Sequence, residues 1–320
     1  MNSIAATAHG YGRAEIEQRL VKLTGASNAY SAIRRLCTSV VRASNQEVPP
    51  FHIKPLLDVI GVEFKYSDVN TGQAEASVSI KDGSLFLEVP KAHFKGGSGR
   101  SKRWRFSIAH EFVHIILLRA LGASLIELTF RDEETYSFIE DLCDYAASHI
   151  LLPRPKLLQE LRKSKISSKT ISIISHKYNV SEAVIFRSIN DFLPCGGVFG
   201  VKKYKRKNSE KRELRISFCS TPYRERQIRP WLPLGCTMRH INLSSGTFEG
   251  ASEGGRKIED IIISINKKVW KLHGLVVPWV FGQEQKDIFV KNRSLDVLDD
   301  EVGYVLFCSE AGKLDATLFQ

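Results

Sequence analysis

His110 and His114 stand four residues apart, with Glu111 directly after the first, in the run Arg105-Phe106-Ser107-Ile108-Ala109-His110-Glu111-Phe112-Val113-His114-Ile115-Ile116-Leu117-Leu118. On a helix, positions i and i+4 share one face, so the two imidazoles point the same way, one turn apart. Two neutral imidazoles at that spacing can each bring a nitrogen to about 2.0–2.1 Å from one Zn²⁺. Glu111 falls about 100° further round the helix, beside the ion rather than on it, where it can take a proton from water. The string is H-E-x-x-H, in which two histidines hold zinc and the glutamate serves as general base for peptide hydrolysis. The competing reading is a pair of ordinary core histidines. Against it, the surrounding residues are apolar and must be mostly buried. Each ionisable group placed there costs several kcal/mol unless it is paired or bound to metal.

Two histidines do not complete such a centre, because a catalytic zinc takes three protein ligands and keeps one open position. A second long helix, about Glu133 to Leu152 and ending at Pro153, offers Glu140-Asp141-Leu142-Cys143-Asp144. Glu140 and Asp144 share a helix face. Glu140 can ligate the metal while Asp144 accepts a hydrogen bond from a ligating imidazole and so sets its tautomer. Carboxylates at this spacing also occur on any solvated helix. Here Ala146, Ala147, Ile150 and Leu151 make a packed face whose small residues allow close approach to the histidine helix. Asp132, Glu133 and Glu134 are weaker alternatives in a more polar stretch. His149 lies about 180° from Glu140 and is left out. For the donor that stabilises an oxyanion, Tyr145, His149 and His176 all stay open.

These two segments, Arg105 to His114 and then Glu140-x-x-Cys143-Asp144-x-Ala146-Ala147-x-x-Ile150-Leu151-Leu152-Pro153, resemble the ImmA/IrrE family of metallopeptidases. That family typically reads R-F-T-x-A-H-E-x-x-H, then E-x-x-A-N-x-F-A-x-x-L-L-x-P. Pro50-x-x-Ile53-x-x-Leu56-Leu57-x-x-x-Gly61-Val62 is similar to its lead-in, so the resemblance covers residues 49–190. It implies a zincin-like metallopeptidase domain with His110, His114 and Glu140 as zinc ligands and Glu111 as the general base. It also implies a substrate, a helix-turn-helix transcriptional repressor cut to release stress-response, mobile-element or phage-defence genes. Asp144 stands where the family often has Asn, Cys143 where it often has Ala, and Ala146 where it often has Phe. A thiol at Cys143 can disturb the metal or simply pack as a small hydrophobe. Two histidines and a carboxylate also tolerate Mn²⁺ in place of Zn²⁺.

The elements that must position these residues read as an α+β arrangement. Residues 1–48 are a helical region, with helices over Ala14 to Thr24 and Asn28 to Arg42, the latter capped by Asn28. The metallopeptidase domain takes residues 49–160. It holds a short helix (Ile53 to Ile60), a strand (Val62 to Tyr66) and a hairpin (Ala76 to Ile80 and Ser84 to Val89) around Lys81-Asp82-Gly83. A basic loop, Lys95 to Arg103, leads into the histidine helix, and Leu125 to Phe130 is a short apolar stretch. Residues 161–195 carry the cadence of a helix-turn-helix over Thr170 to Arg187, with Asn179 in the turn and Ser181 as N-cap. Its second helix offers few base-reading groups (Glu182, Arg187, Asn190), so packing or docking is the stronger reading. Residues 196–320 read as a C-terminal α/β regulatory domain: strands over Val198 to Tyr204, Leu214 to Cys219 and Tyr304 to Cys308, and a helix near Ile258 to Leu272. Some longer relatives carry a GAF-like sensor there.

Charge and compartment narrow the partners. The net charge is +11 over 320 residues. Lys95 to Arg105 holds five basic residues and no acidic one, Lys202 to Arg215 eight against two, and Tyr223 to Arg229 three arginines against Glu225. The segments 95–105 and 202–229 are therefore candidate nucleic-acid surfaces, with a merely solvated surface as the alternative. The six cysteines form no C-x-x-C pair, no secretory leader is evident, and no run of about 20 apolar residues predicts a membrane span. A cytoplasmic location is expected. The rival to a hydrolase is a DNA-binding transcriptional regulator whose metal site is structural or vestigial.

Overall fold

The computed structural model describes residues 12–67, 76–81, 84–90, 98–122, 132–163, 166–189, 197–206, 212–220, 256–265, 268–279, 295–297 and 303–309. They fall into two compact units, residues 1–153 with 177–181 and residues 154–176 with 182–320.

The first unit is a mostly helical domain with a small mixed sheet. Helices α1 (Arg13–Thr24) and α2 (Ala29–Ala43) lead, with the Asn28 side chain accepting from the Ser31 N–H at the start of α2. That bond satisfies one of the four orphan amide donors at a helix start. After α3 (Ile53–Val59) come β1 (Glu63–Ser67), β2 (Ser77–Lys81) and β3 (Ser84–Pro90). The sheet order is β1-β3-β2, with β1 parallel and β2 antiparallel to β3, so β2 is an edge among the described residues. Phe86, Leu87 and Val89 of the central strand are buried, as expected where a helix covers the sheet.

Helix α4 (Ser98–Leu121) carries the H-E-x-x-H string and runs through the middle of this unit. It packs on α5 (Glu133–Leu151), on α1, α2 and α3, and on β2 and β3. Being covered on several sides explains why its apolar residues do not keep to one stripe: Ala109, Phe112, Val113, Ile115 and Leu117 are all fully buried. The basic stretch expected as a loop up to Arg103 is helical from Ser98 onward. Lysine and arginine are good helix formers, and one glycine costs about 1 kcal/mol, which a helix already nucleated downstream absorbs. Trp104 and Lys102 are buried there. Arg105 donates to the carbonyls of Phe51 (2.8 Å) and Asn179 (3.1 Å), and burial lowers its pKa. The stretch Leu125 to Phe130 lies outside the described residues.

Next come α6 (Arg154–Lys163), α7 (Ser168–Tyr178) and α8 (Glu182–Ile189), which belong to the second unit except for residues 177–181. Asn179 between α7 and α8 has φ 49°, the left-handed conformation that asparagine tolerates. On α8, Val184, Ile185, Phe186, Ser188 and Ile189 are buried, and Ala183 alone is exposed. A helix so committed to packing has little face left to enter a groove.

Beyond residue 196 the described residues are all strand: β4 (Gly197–Arg206), β5 (Arg212–Ser220), β6 (Arg256–Ile265), β7 (Lys268–Trp279), β8 (Leu295–Val297) and β9 (Gly303–Ser309). They form one antiparallel sheet ordered β5-β4-β9-β7-β6, with β8 pairing β4. The helix expected near Ile258 to Leu272 is instead the β6–β7 hairpin, whose ladder closes at Ile265 and Lys268. The isoleucines at 258, 261, 262, 263 and 265 match helical spacing in places. Their β-branching favours a pleated strand, and strand pairing decides it. No helix stands among the described residues of 196–320, and a GAF-like sensor finds no support.

Candidate metal centre

Helices α4 and α5 bring the sequence candidates together. His110 Nε2 and His114 Nε2 lie 3.1 Å apart. Glu140 spans them, with Oε2 3.3 Å from His110 Nε2 and Oε1 3.3 Å from His114 Nε2. Tetrahedral ligation with bonds of about 2.0–2.1 Å puts donor atoms about 3.3–3.4 Å apart. The three donors therefore already stand near the spacing a single divalent ion requires. Two nitrogens and a carboxylate oxygen suit Zn²⁺ or Mn²⁺.

On the far side of the His110 ring, Nδ1 lies 2.9 Å from Asp144 Oδ1. With the proton on Nδ1, His110 donates to the carboxylate and leaves the Nε2 lone pair turned towards Glu140 and His114. Burial opposes a charge on His110, but the bonds to Asp144 and Glu140 outweigh it and raise its pKa to about 9. Burial likewise opposes a charge on Glu140, and the two histidines overcome it, lowering its carboxyl to about 2. Proton and metal compete for one pocket of negative potential.

Glu111 sits beside this triangle. Burial pushes its carboxyl above the usual range, and the neighbouring histidines and the Val78 N–H of β2 partly counter that. A carboxyl raised towards neutrality is a better base near pH 7 than an ordinary surface glutamate.

Two residues were underweighted from sequence. Tyr136, one turn before Glu140 on α5, is 47% exposed, hydrogen-bonds the Glu140 carboxylate and has its phenol pKa raised chiefly by that charge. The i, i+4 spacing of Tyr136 and Glu140 was the signal available. Cys143 is fully buried, and its Sγ lies within 4.8 Å of ligand nitrogens of both His110 and His114. Glu140 sits closer to both rings. Burial pushes the Cys143 thiol well above its ordinary pKa, which keeps it protonated in the metal-free chain.

The other donors considered lie elsewhere. Tyr145 is buried, its hydroxyl accepting from Arg34 Nη1 at 3.4 Å and its ring 4.4 Å from that of His149. The His176 Nδ1 is 2.8 Å from the carbonyl of Ser172, on its own helix. Asp132 caps α5 through the Thr135 N–H, and Glu134 pairs with Arg13.

Residues 98–190, the stretch holding this constellation, match the model of the IrrE N-terminal-like domain. This segment is an IrrE N-terminal-like domain. The chain is distantly related to the radiation response metalloprotease IrrE of Deinococcus radiodurans, at 28% identity over 105 residues. That match spans 32% of this chain and 32% of the relative, about a third of each. The IrrE-like segment begins at Ser98, so the lead-in from Pro50 to Val62 falls outside it. A solved Mycobacterium tuberculosis transcriptional regulator superposes with a TM-score of 0.46 at 11% identity, covering 94% of this chain and 83% of that one. Among the described residues, no helix is long and apolar enough to cross a membrane.

Proposed function

We propose that the chain is a zinc-dependent endopeptidase of zincin-like architecture that cuts a helix-turn-helix transcriptional repressor. The observation that carries the reading is the triangle of His110, His114 and Glu140 donors at 3.1–3.3 Å, with Glu111 adjacent and outside it. A structural metal site gains nothing from a buried carboxyl in that place.

His110, His114 and Glu140 would hold the ion, and Asp144 would orient His110. When bound, the ion supplies Lewis-acid polarisation of the scissile carbonyl and acidification of water. Glu111 takes the proton of the attacking water and later delivers it to the departing amine. The Tyr136 phenol, half exposed at the rim, is placed to donate to the developing oxyanion. Edge strand β2, whose Val78 N–H reaches Glu111, offers an extended substrate a backbone to align against. The repressor substrate rests on the family resemblance alone.

The deciding assay incubates the purified zinc-loaded chain with purified helix-turn-helix repressors from the same cell. Wild type is expected to cut at one site. Glu111→Gln is expected to keep one metal per chain and lose roughly 10²–10⁴-fold in rate. If neither form cuts and the protein instead binds duplex DNA through Arg187, the regulator reading replaces this one.

A further inference from the structure

Away from the metal centre, the C-terminal end of α1 and the outer face of α2 enclose an open cleft of about 460 Å³. Its lining is unusual in charge. Arg34, Arg35 and Arg42 all face it, with the hydroxyls of Thr24, Thr38 and Ser39 between them and Leu23 and Leu36 as an apolar wall. α2 carries no acidic residue, and no carboxylate pairs with these three arginines among the described residues. Arg34 reaches only the Tyr145 hydroxyl (3.4 Å) and Arg35 the Thr24 carbonyl (2.9 Å), so most of their donors are left for a ligand.

Three guanidinium groups lining one cleft form a concentration of positive charge that an anion between them would relieve. Their forked donors match phosphate oxygens bidentately, and the hydroxyls supply further bonds. The volume falls within the range of small-molecule sites. Leu23, 56% exposed, is an unexplained apolar side chain in a polar setting, and it gives a ring or sugar something to lie on. We infer that this cleft is a binding site for a small phosphate ester, nucleotide-sized, held by Arg34, Arg35 and Arg42.

The site is independent of the peptidase reading, but it touches the same helix. Tyr145, the partner of Arg34, directly follows Asp144, which holds His110. A ligand that draws Arg34 away from Tyr145 acts one residue from the metal centre.

Titration calorimetry of the full metal-loaded chain with inorganic phosphate and, separately, with AMP tests this. Saturable one-site binding is expected. Arg42→Ala and Arg35→Ala should each raise Kd at least about tenfold, with unchanged melting temperature, while Lys54→Ala on α3 leaves Kd alone. AMP binding much more tightly than phosphate assigns the leucine wall to the nucleoside. Equal affinities overturn the nucleotide-sized ester and leave only a bare anion site. Absence of saturable binding overturns the site altogether, as does a Kd indifferent to both arginine variants, the result of anion capture at the metal. Binding of a polyglutamate peptide as tight as that of AMP also overturns it.

Discussion

His110 Nδ1 and Asp144 Oδ1 lie 2.9 Å apart across the α4–α5 contact, so the orientation of one candidate ligand is set by a carboxylate on the neighbouring helix. Loss of such a partner typically weakens metal binding by about 10–100-fold. Asp144→Ala is expected to show that loss in competition with a chromophoric chelator. Asp144→Asn, which keeps an acceptor oxygen, should lose less. Equal affinity for wild type and Asp144→Ala would mean that the ring is positioned by packing alone.

The metal-free domain should have its own pH profile. His110 is raised from 6.5 to about 9, so the stability it contributes is complete below 6.5 and lost as pH rises through 9. Glu140 is lowered from 4.5 to about 2, so its contribution is present above 4.5 and lost as pH falls through 2. Both are in force between pH 4.5 and 6.5. Glu111, raised by burial, moves stability the same way as His110 when pH climbs. In chelator, the melting temperature should therefore fall from pH 6.5 to pH 9. Added zinc must displace the His110 proton, so the rise in melting temperature it produces should grow over that range, with measurable proton release. A flat melting temperature in chelator contradicts this.

The candidate metal centre is legible because helical arithmetic is local. Four-residue spacing places His110 against His114 and Glu140 against Asp144 whatever the rest of the chain does. That the two pairs face each other rested on the small residues at 146 and 147 and on the family resemblance. Tyr136 was missed although the same arithmetic puts it on the Glu140 stripe. Its value depends on exposure at the rim, which sequence does not state. The basic segment at 95–105 read as a surface, yet Lys102 is buried and Arg105 is committed to two carbonyls, because long cationic side chains can serve the interior by their donors. The isoleucines of β6 fit a helical period as well as a strand period over short runs. Only pairing with β7 distinguishes them.

Ala147 lies two turns beyond Glu140 on the same face of α5 and is fully buried. A larger side chain there must push α5 from α4 and pull Glu140 from the histidines. Ala147→Leu is expected to destabilise the domain by about 1–3 kcal/mol. It should also weaken metal binding, read by chelator competition at a temperature where the variant is still folded. Destabilisation with unchanged metal affinity would show that the ligands adjust independently of the helix contact.

Cys143 separates a hydrolytic centre from a closed structural one. A thiolate joining His110, His114 and Glu140 would fill the fourth position and leave no room for substrate. The geometry admits the question, since Sγ lies within 4.8 Å of both ring nitrogens. The distances favour Glu140, which lies 3.3 Å from both ring nitrogens, while burial keeps the Cys143 thiol protonated in the metal-free chain. Cys143→Ala is therefore expected to bind one metal ion with affinity within about threefold of wild type, a fraction of the tenfold that 1.4 kcal/mol represents. The cobalt-substituted wild type should lack a sulfur-to-metal charge-transfer band. A strong band that vanishes in Cys143→Ala, together with a large loss of affinity, would place sulfur on the metal and remove the open position on which hydrolysis depends.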